Sequence, residues 1–293
     1  MFQSLFSRMN LMSICRLLFV MAVTCVPGTR DVMAASIPPD EGDEPTNIYY
    51  TTSFSAATPE LWAIKMTGRN ISTTDVGPMN AGGCASLAMS PSGTLFSMCG
   101  NLFGVQQLAT IDTKTGQGTL FGMPVPGLAI MAMAFAPNGT LYAVGDCNPN
   151  GANFECGPGA VPDPNYNSLY TVNQITGAVT RVGSTGAPQF FMDLTFDREG
   201  NMFGVTSTLN PSYVPAILYR INPETGAATK IVNLVGSNSV MGLALSPDGK
   251  MYATDFTGNS GLYRIDPKTG FETAIAAMPF GLSSGLELEN PIP

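Results

Sequence analysis

The sequence predicts an all-β fold: a five-bladed β-propeller of four-stranded blades, closed by pairing the N- and C-terminal strands in one blade. Three observations carry this. A hairpin phrase built on a Gly turn recurs four times, and a second phrase ending in Thr-Gly recurs five times. The repeat region also begins and ends with partial strand sets that complete one another.

The chain opens with targeting signals. Arg8 and Arg16 precede the apolar run 17–23, and small residues follow at Val32-Met33-Ala34-Ala35, the pattern of a secretory signal peptide cleaved after Ala34. Residues 1–34 are therefore read as the signal. Residues 35–46, with Pro38-Pro39-Asp40-Glu41-Gly42-Asp43-Glu44-Pro45, form an acidic, proline-rich linker with little to bury. Residues 47–293 form a single propeller domain.

The first phrase is an apolar strand, a tight turn and a second strand. It reads Leu87-Ala88-Met89-Ser90-Pro91-Ser92-Gly93-Thr94-Leu95-Phe96 and returns at 133–142, 194–203 and 243–252. Pro presets φ and Gly accepts the positive φ that the turn needs, so each copy is a β-hairpin. The second phrase appears as Leu108-Ala109-Thr110-Ile111-Asp112-Thr113-Lys114-Thr115-Gly116, with copies ending at Gly68, Gly177, Gly226 and Gly270. These glycines lie 48, 61, 49 and 44 residues apart, a period that fits four short strands per unit.

Ring closure sets the number of blades. Four inner strands come from the first phrase, and Ser284-Gly285-Leu286-Glu287-Leu288-Glu289 is a fifth without its partners. Those partners lie at the other end of the repeats: residues 47–52 as the second strand and residues 60–76 as the third and fourth. Residues 145–166, rich in Pro, Gly and Asn, are too few to supply a sixth blade.

Composition narrows the function. The 293 residues include no His, which excludes Ser-His-Asp and Cys-His catalysis and His-ligated metals. Loss of residues 1–34 removes three Arg and one Asp, leaving ten basic and twenty acidic residues and a net charge of −10. That balance argues against nucleic acid and against anionic membrane surfaces.

Four cysteines remain after the signal: Cys84, Cys99, Cys147 and Cys156. Pairing Met89 with Thr94 across the first turn sets Cys84 opposite Cys99, where a disulfide fits a close, non-hydrogen-bonded pair. Cys147 and Cys156 flank a short loop that a second bridge would pin. Four free thiols, or a Cys-rich metal site, are the alternatives. Secretion favours disulfides.

The repeats resemble those of secreted bacterial propellers of the NHL, YVTN and gluconolactonase-like kind, at the level of the repeat. The residues that carry this are the Ser246-Pro247-Asp248-Gly249 turn, the strand Met251-Tyr252-Ala253-Thr254-Asp255, and Leu262-Tyr263-Arg264-Ile265-Asp266-Pro267. The resemblance covers residues 47–290 and implies the blade architecture. For the gluconolactonase-like members it further implies a divalent metal in the channel held by a Glu, two Asn and an Asp. Here Met241 stands where one such Asn is expected, and Ser284 precedes Gly285 where an acid is expected.

Site candidates follow from propeller geometry. The inner strands begin, and the second strands end, at one face: the mouth of the axial channel. The one long insertion, 147–166, falls there. Tyr166, Phe190, Phe191, Tyr213 and Phe280 are candidates for an apolar ligand platform, against the plainer reading that they cap the core. Asp146, Asp193 and Asp255 are candidate acids, for Ca²⁺ coordination or for acid–base chemistry, against the plainer reading of strand-end caps. Asp193 stands out because Ser86, Ala132, Gly242 and Gly285 occupy its repeat position. Met131, Met192 and Met241 share the position before it, where flexible core filler outweighs a copper(I) cluster.

The functional expectation is a secreted, monomeric module, periplasmic or extracellular, that binds a protein, a glycan or a small molecule at the mouth, with no cofactor required. An adhesion component of an extracellular matrix or envelope differs from it in valency. The alternative from another class is a calcium-type, metal-dependent hydrolase or lyase using Asp193, Asp146 and Asp255.

Overall fold

The structure, a computed structural model, describes residues 45–54, 56–101, 105–146, 167–207, 215–236, 239–257 and 260–290. The signal and most of the linker lie outside the described residues, as do Cys147, Cys156, Tyr166, Tyr213 and the side chain of Asp146.

In chain order the strands are β1 (Thr46–Ser53), β2 (Glu60–Thr67), β3 (Asn70–Pro78), β4 (Gly83–Cys84), β5 (Ala88–Met89), β6 (Leu95–Gly100) and β7 (Gln106–Ile111). They continue with β8 (Gly118–Leu120), β9 (Ala129–Phe135), β10 (Leu141–Asp146), β11 (Ser168–Val172), β12 (Val179–Ser184), β13 (Phe190–Phe196) and β14 (Met202–Ser207). The last are β15 (Ile217–Ile221), β16 (Ala228–Asn233), β17 (Val240–Leu245), β18 (Met251–Asp255), β19 (Gly261–Ile265), β20 (Glu272–Ala277) and β21 (Ser283–Leu288).

They form five antiparallel blades of a β-propeller. Blade I has the order β21-β1-β2-β3, so the two ends of the chain share one sheet, with Thr51 opposite Leu286. Blade II is β4 and β5 as an interrupted inner strand, followed by β6, β7 and β8. Blades III, IV and V run β9–β12, β13–β16 and β17–β20 from the axis outwards. Closure leaves no open edge at the ring's seam. Tyr50 reinforces it by donating its hydroxyl to the Glu289 carboxylate at 2.8 Å.

The core is not central. It consists of five wedges, one per blade junction. Met98, Leu108 and Ile130 join blades II and III, for example, and Tyr49, Tyr252 and Leu286 join V and I. Alternation of side chains along each strand feeds one wedge on either face, which is why inner strands read as nearly continuous apolar runs.

Both hairpin phrases have the expected turns. In the first, the N–H of Gly93 donates to the Ser90 carbonyl at 2.9 Å, and Gly139, Gly200 and Gly249 repeat that bond. In the second, the Thr-Gly turn also joins blades. The Gly226 turn of blade IV packs against Gly183 at the end of the outer strand of blade III, and Gly116 packs against Gly77 in the same way. A Cβ on Gly226 would sit 2.6 Å from the Gly183 carbonyl oxygen, so Gly is required there for contact as well as for its φ of 82°.

One register differs from the sequence reading. Met89 pairs with Leu95 rather than with Thr94, yet Cys84 still faces Cys99. The inner strand gains one residue between Cys84 and Ala88, a β-bulge that restores the pairing. The same bulge recurs in every blade, at Met131, Met192, Met241 and Gly285. The disulfide Cys84–Cys99 is present, with a Cα–Cα separation of 4.2 Å that suits a non-hydrogen-bonded pair. Bonds of this kind are common in oxidising compartments and rare in the cytosol.

Candidate functional site

Each inner strand has a partner on one side only, so alternate backbone N–H groups on its other edge face the axis. The set turned into the sheet is fixed by the bonds of Asp197 to Asn201 and of Ser246 to Lys250. The opposite set, which includes Leu194, Leu243 and Leu286, therefore converges on the channel. These donors need acceptors.

Asp193 supplies them. Its side chain is fully buried. Oδ1 accepts the N–H of Leu194 at 3.0 Å, and Oδ2 accepts those of Leu243 at 2.7 Å and Leu286 at 2.9 Å. One carboxylate thus ties blades IV, V and I at the axis. The bulge at Met192 sets this aim, since one extra residue changes which way the following side chains point. Its counterparts in the next two blades are Gly242, where a Cβ would meet Thr254 and Leu286, and Gly285, where one would approach Leu87 and Ala85. Burial pushes the Asp193 carboxyl well above its ordinary range, while the three N–H donors pull the other way.

A second acid, not singled out from the sequence, follows the same rule two residues further along its strand. Glu287 stands where other blades carry Ala88, Ala134, Thr195 and Ala244. It is half-buried, and the backbone N–H groups of Met89, in blade II, and of its neighbour Leu288 pull its pKa down. Burial, followed by the nearby charge of Asp193, pushes it well above the ordinary Glu range. It borders a cavity of about 30 Å³ at the hairpin-turn end of the channel, with Ala134, Thr195, Ala244, Pro91 and Pro137. The repeat alignment that marks Asp193 marks Glu287 equally: an acid where the other blades have small residues.

Asp255, at the mouth end of β18, is also buried. Its carboxylate accepts the Gly261 N–H at 2.7 Å and the hydroxyls of Tyr263 at 3.2 Å and Thr257 at 3.3 Å, so it fastens the loop of its own blade. Burial raises its pKa against the pull of those bonds. Asp146 ends β10 as expected. Among the described residues no group of three acidic or Cys side chains is placed to hold a metal ion.

Of the aromatic candidates, Phe191 is buried against Tyr219, with ring centroids 5.4 Å apart. Phe280 is buried against Trp62 at 4.5 Å. Phe190 is half-buried at the start of β13.

The mouth also holds buried amides that the sequence did not flag. Gln106 donates to the Ile130 carbonyl at 3.2 Å and accepts the Ile130 N–H at 2.7 Å, which links blades II and III. Asn167 does the same between III and IV, accepting the Phe191 N–H at 3.3 Å and donating to the Ala187 carbonyl at 3.0 Å. Both begin or immediately precede a third strand, a shared repeat position that alignment of the blades would have revealed. In blade I the hydroxyl of Ser284 donates to the Ala85 carbonyl at 2.8 Å, and that of Thr52 to the Ser284 carbonyl at 2.6 Å. The Ile130, Ala85 and Ser284 carbonyls lie at the bulges of their strands, while that of Ala187 precedes β13.

Comparison with known proteins bears on the fold. The family model of DUF6923, described as a repeat of unknown function, matches residues 132–283. No curated protein matches the chain in sequence. Among solved structures, a protein of unknown function from Bacteroides thetaiotaomicron aligns with a TM-score of 0.52 at 14% identity, over 85% of this chain and 67% of its own. A gluconolactonase from Xanthomonas campestris aligns with a TM-score of 0.49 at 13% identity, over 83% of this chain and 80% of its own. The likeness is one of fold.

Proposed function

The chain belongs to the DUF6923 repeat family, and from that premise we propose that it is a secreted propeller acting as a binding or scaffolding module. The ligand, a protein, a glycan or a small apolar molecule, meets the loop-rich mouth of the channel. The observation that carries this reading is the use to which the buried acids are put. Asp193 gives both oxygens to backbone N–H groups of three blades, and Asp255 spends its carboxylate on its own loop. Acids so engaged serve the scaffold, which leaves the mouth loops as the surface for recognition. The disulfide supports secretion, and residues 1–34 would supply the signal.

The test uses the mature chain with calcium chloride and a sugar δ-lactone as probes. Calcium is expected to leave the melting temperature unchanged, and lactone opening to stay at the uncatalysed rate. Calcium-dependent turnover, or a calcium-induced shift in melting that Asp255→Asn or Asp193→Ala abolishes, would overturn the reading in favour of a metal-dependent hydrolase. Binding of an anilinonaphthalene dye should fall in Phe190→Ala at unchanged melting temperature. Unaltered dye binding would remove the apolar platform.

A further inference from the structure

Asp193 and Glu287 are two carboxylates at one axis. Asp193 accepts the N–H of Leu286, the residue immediately before Glu287. The strands packed against β21, which carries Glu287, are β1, β5, β13, β17 and β18, and none of them carries a Lys or Arg. Their titratable groups are Tyr49 and Tyr50 on β1, Tyr252 and Asp255 on β18, and Asp193 on β13. The two β1 phenols are held above their ordinary range by burial and stay neutral. Asp255 faces its own loop. Beyond the strand ends, Asp197 borders the same cavity and bonds Asn201, while Lys250 pairs with Asp248 at 2.9 Å. Among the described residues, the strands packed against β21 thus bring no cation to the pair, and two neighbouring carboxylates inside a protein do not both remain charged without cost.

We propose that Glu287 holds a proton at the propeller axis while Asp193 stays ionised, so that the ring becomes more stable as its surroundings acidify. The assignment of the proton follows from the donors. Asp193 has three N–H partners, and those hydrogen bonds support its anion against the cost of burial. Glu287 is half-buried and borders the cavity at the turn end, through which a proton can be exchanged with water.

The direction of the linkage is fixed by which state holds the proton more tightly. A Glu whose folded pKa lies above its unfolded value of 4.5 binds the proton more strongly in the folded ring. Its stabilisation is complete below the unfolded value and is lost as pH rises through the folded one. A secreted propeller would thereby be tightest in acidic surroundings. This inference does not depend on what binds at the mouth.

Two measurements on the mature chain test it. Thermal unfolding of wild type and Glu287→Gln is compared from about pH 5 to about pH 8. Gln mimics the protonated acid, so the variant's melting temperature should rise relative to wild type as pH increases, and a gap independent of pH would overturn the proposal. Infrared spectroscopy needs no folded variant. At about pH 6, above the ordinary carboxylate range, the spectrum should show a protonated-carboxyl band that moves on ¹³C-glutamate labelling. Absence of that band, or a band that moves only on ¹³C-aspartate labelling, would overturn the assignment to Glu287.

Discussion

Replacing Asp193 with Ala removes one side chain and orphans three backbone N–H groups in three blades. Each buried donor left without a partner costs about 1–3 kcal/mol, so the gross loss is roughly 3–9 kcal/mol. Two effects offset it: the desolvation cost of the carboxylate disappears, worth several kcal/mol, and water entering the space the carboxylate vacates meets some of the donors. The net expectation is a loss of about 3–5 kcal/mol. For a ring of this size each kcal/mol lowers the melting temperature by about 2–4 °C, so a drop of roughly 10 °C should result. The assay is built in, because Trp62 is the only tryptophan and packs on Phe280 at the junction of blades V and I. Its fluorescence in urea reports unfolding directly. Asp193→Asn should fall between wild type and Ala, since its carbonyl can still accept from Leu243 and Leu286 while its amide faces the Leu194 N–H. A loss within about 1 kcal/mol for Asp193→Ala would refute the claim that this carboxylate joins the blades.

Other outcomes follow from the same geometry. Gly226 and Gly139 share a φ of 82°, but a Cβ at Gly139 would meet nothing within 4 Å. Gly139→Ala should therefore cost about 1–2 kcal/mol for the left-handed backbone alone, and Gly226→Ala roughly 2 kcal/mol more through its clash with Gly183, read by urea denaturation. Replacing both Cys84 and Cys99 with Ser should cost about 3 kcal/mol for the 15-residue separation, and non-reducing peptide mapping should recover the two cysteines joined. Gln106→Ala leaves the Ile130 N–H without its acceptor and should cost about 1–3 kcal/mol, with amide exchange at Ile130 rising before that of the inner strands of blades IV and V.

The fold was legible because its turn chemistry repeats. Ser-Pro-Asp-Gly and Pro-Lys-Thr-Gly each demand a particular backbone, and their alternation along the chain gives the four strands of a blade. Closure was legible because Asn47–Thr52 and Ser284–Glu289 are each incomplete alone. The bulges were not. An extra residue in an inner strand shows only against its partner strand, so the turn register came out one residue off and the Cys84–Cys99 pairing survived because the bulge compensates. The same blindness hid the aim of Asp193, whose repeat position marked it as unusual without saying that it would meet Leu243 and Leu286 from other blades. Glu287 carried the same signal as Asp193, but lies in a terminal strand where an acid reads as a solvated end. Gln106 and Asn167 look like ordinary loop polars until two blades are superposed.

The ring stands or falls on β1 and β21 forming one sheet, since the axis where Asp193 and Glu287 meet exists only if the seam is shut. Hydrogen exchange of the native protein measures this directly. Amides of residues 46–53 and 283–288 that are bonded across the seam should exchange only through global unfolding, as slowly as those of β9, β13 and β17. Fast exchange in both terminal segments, with the other inner strands still protected, would mean an open ring.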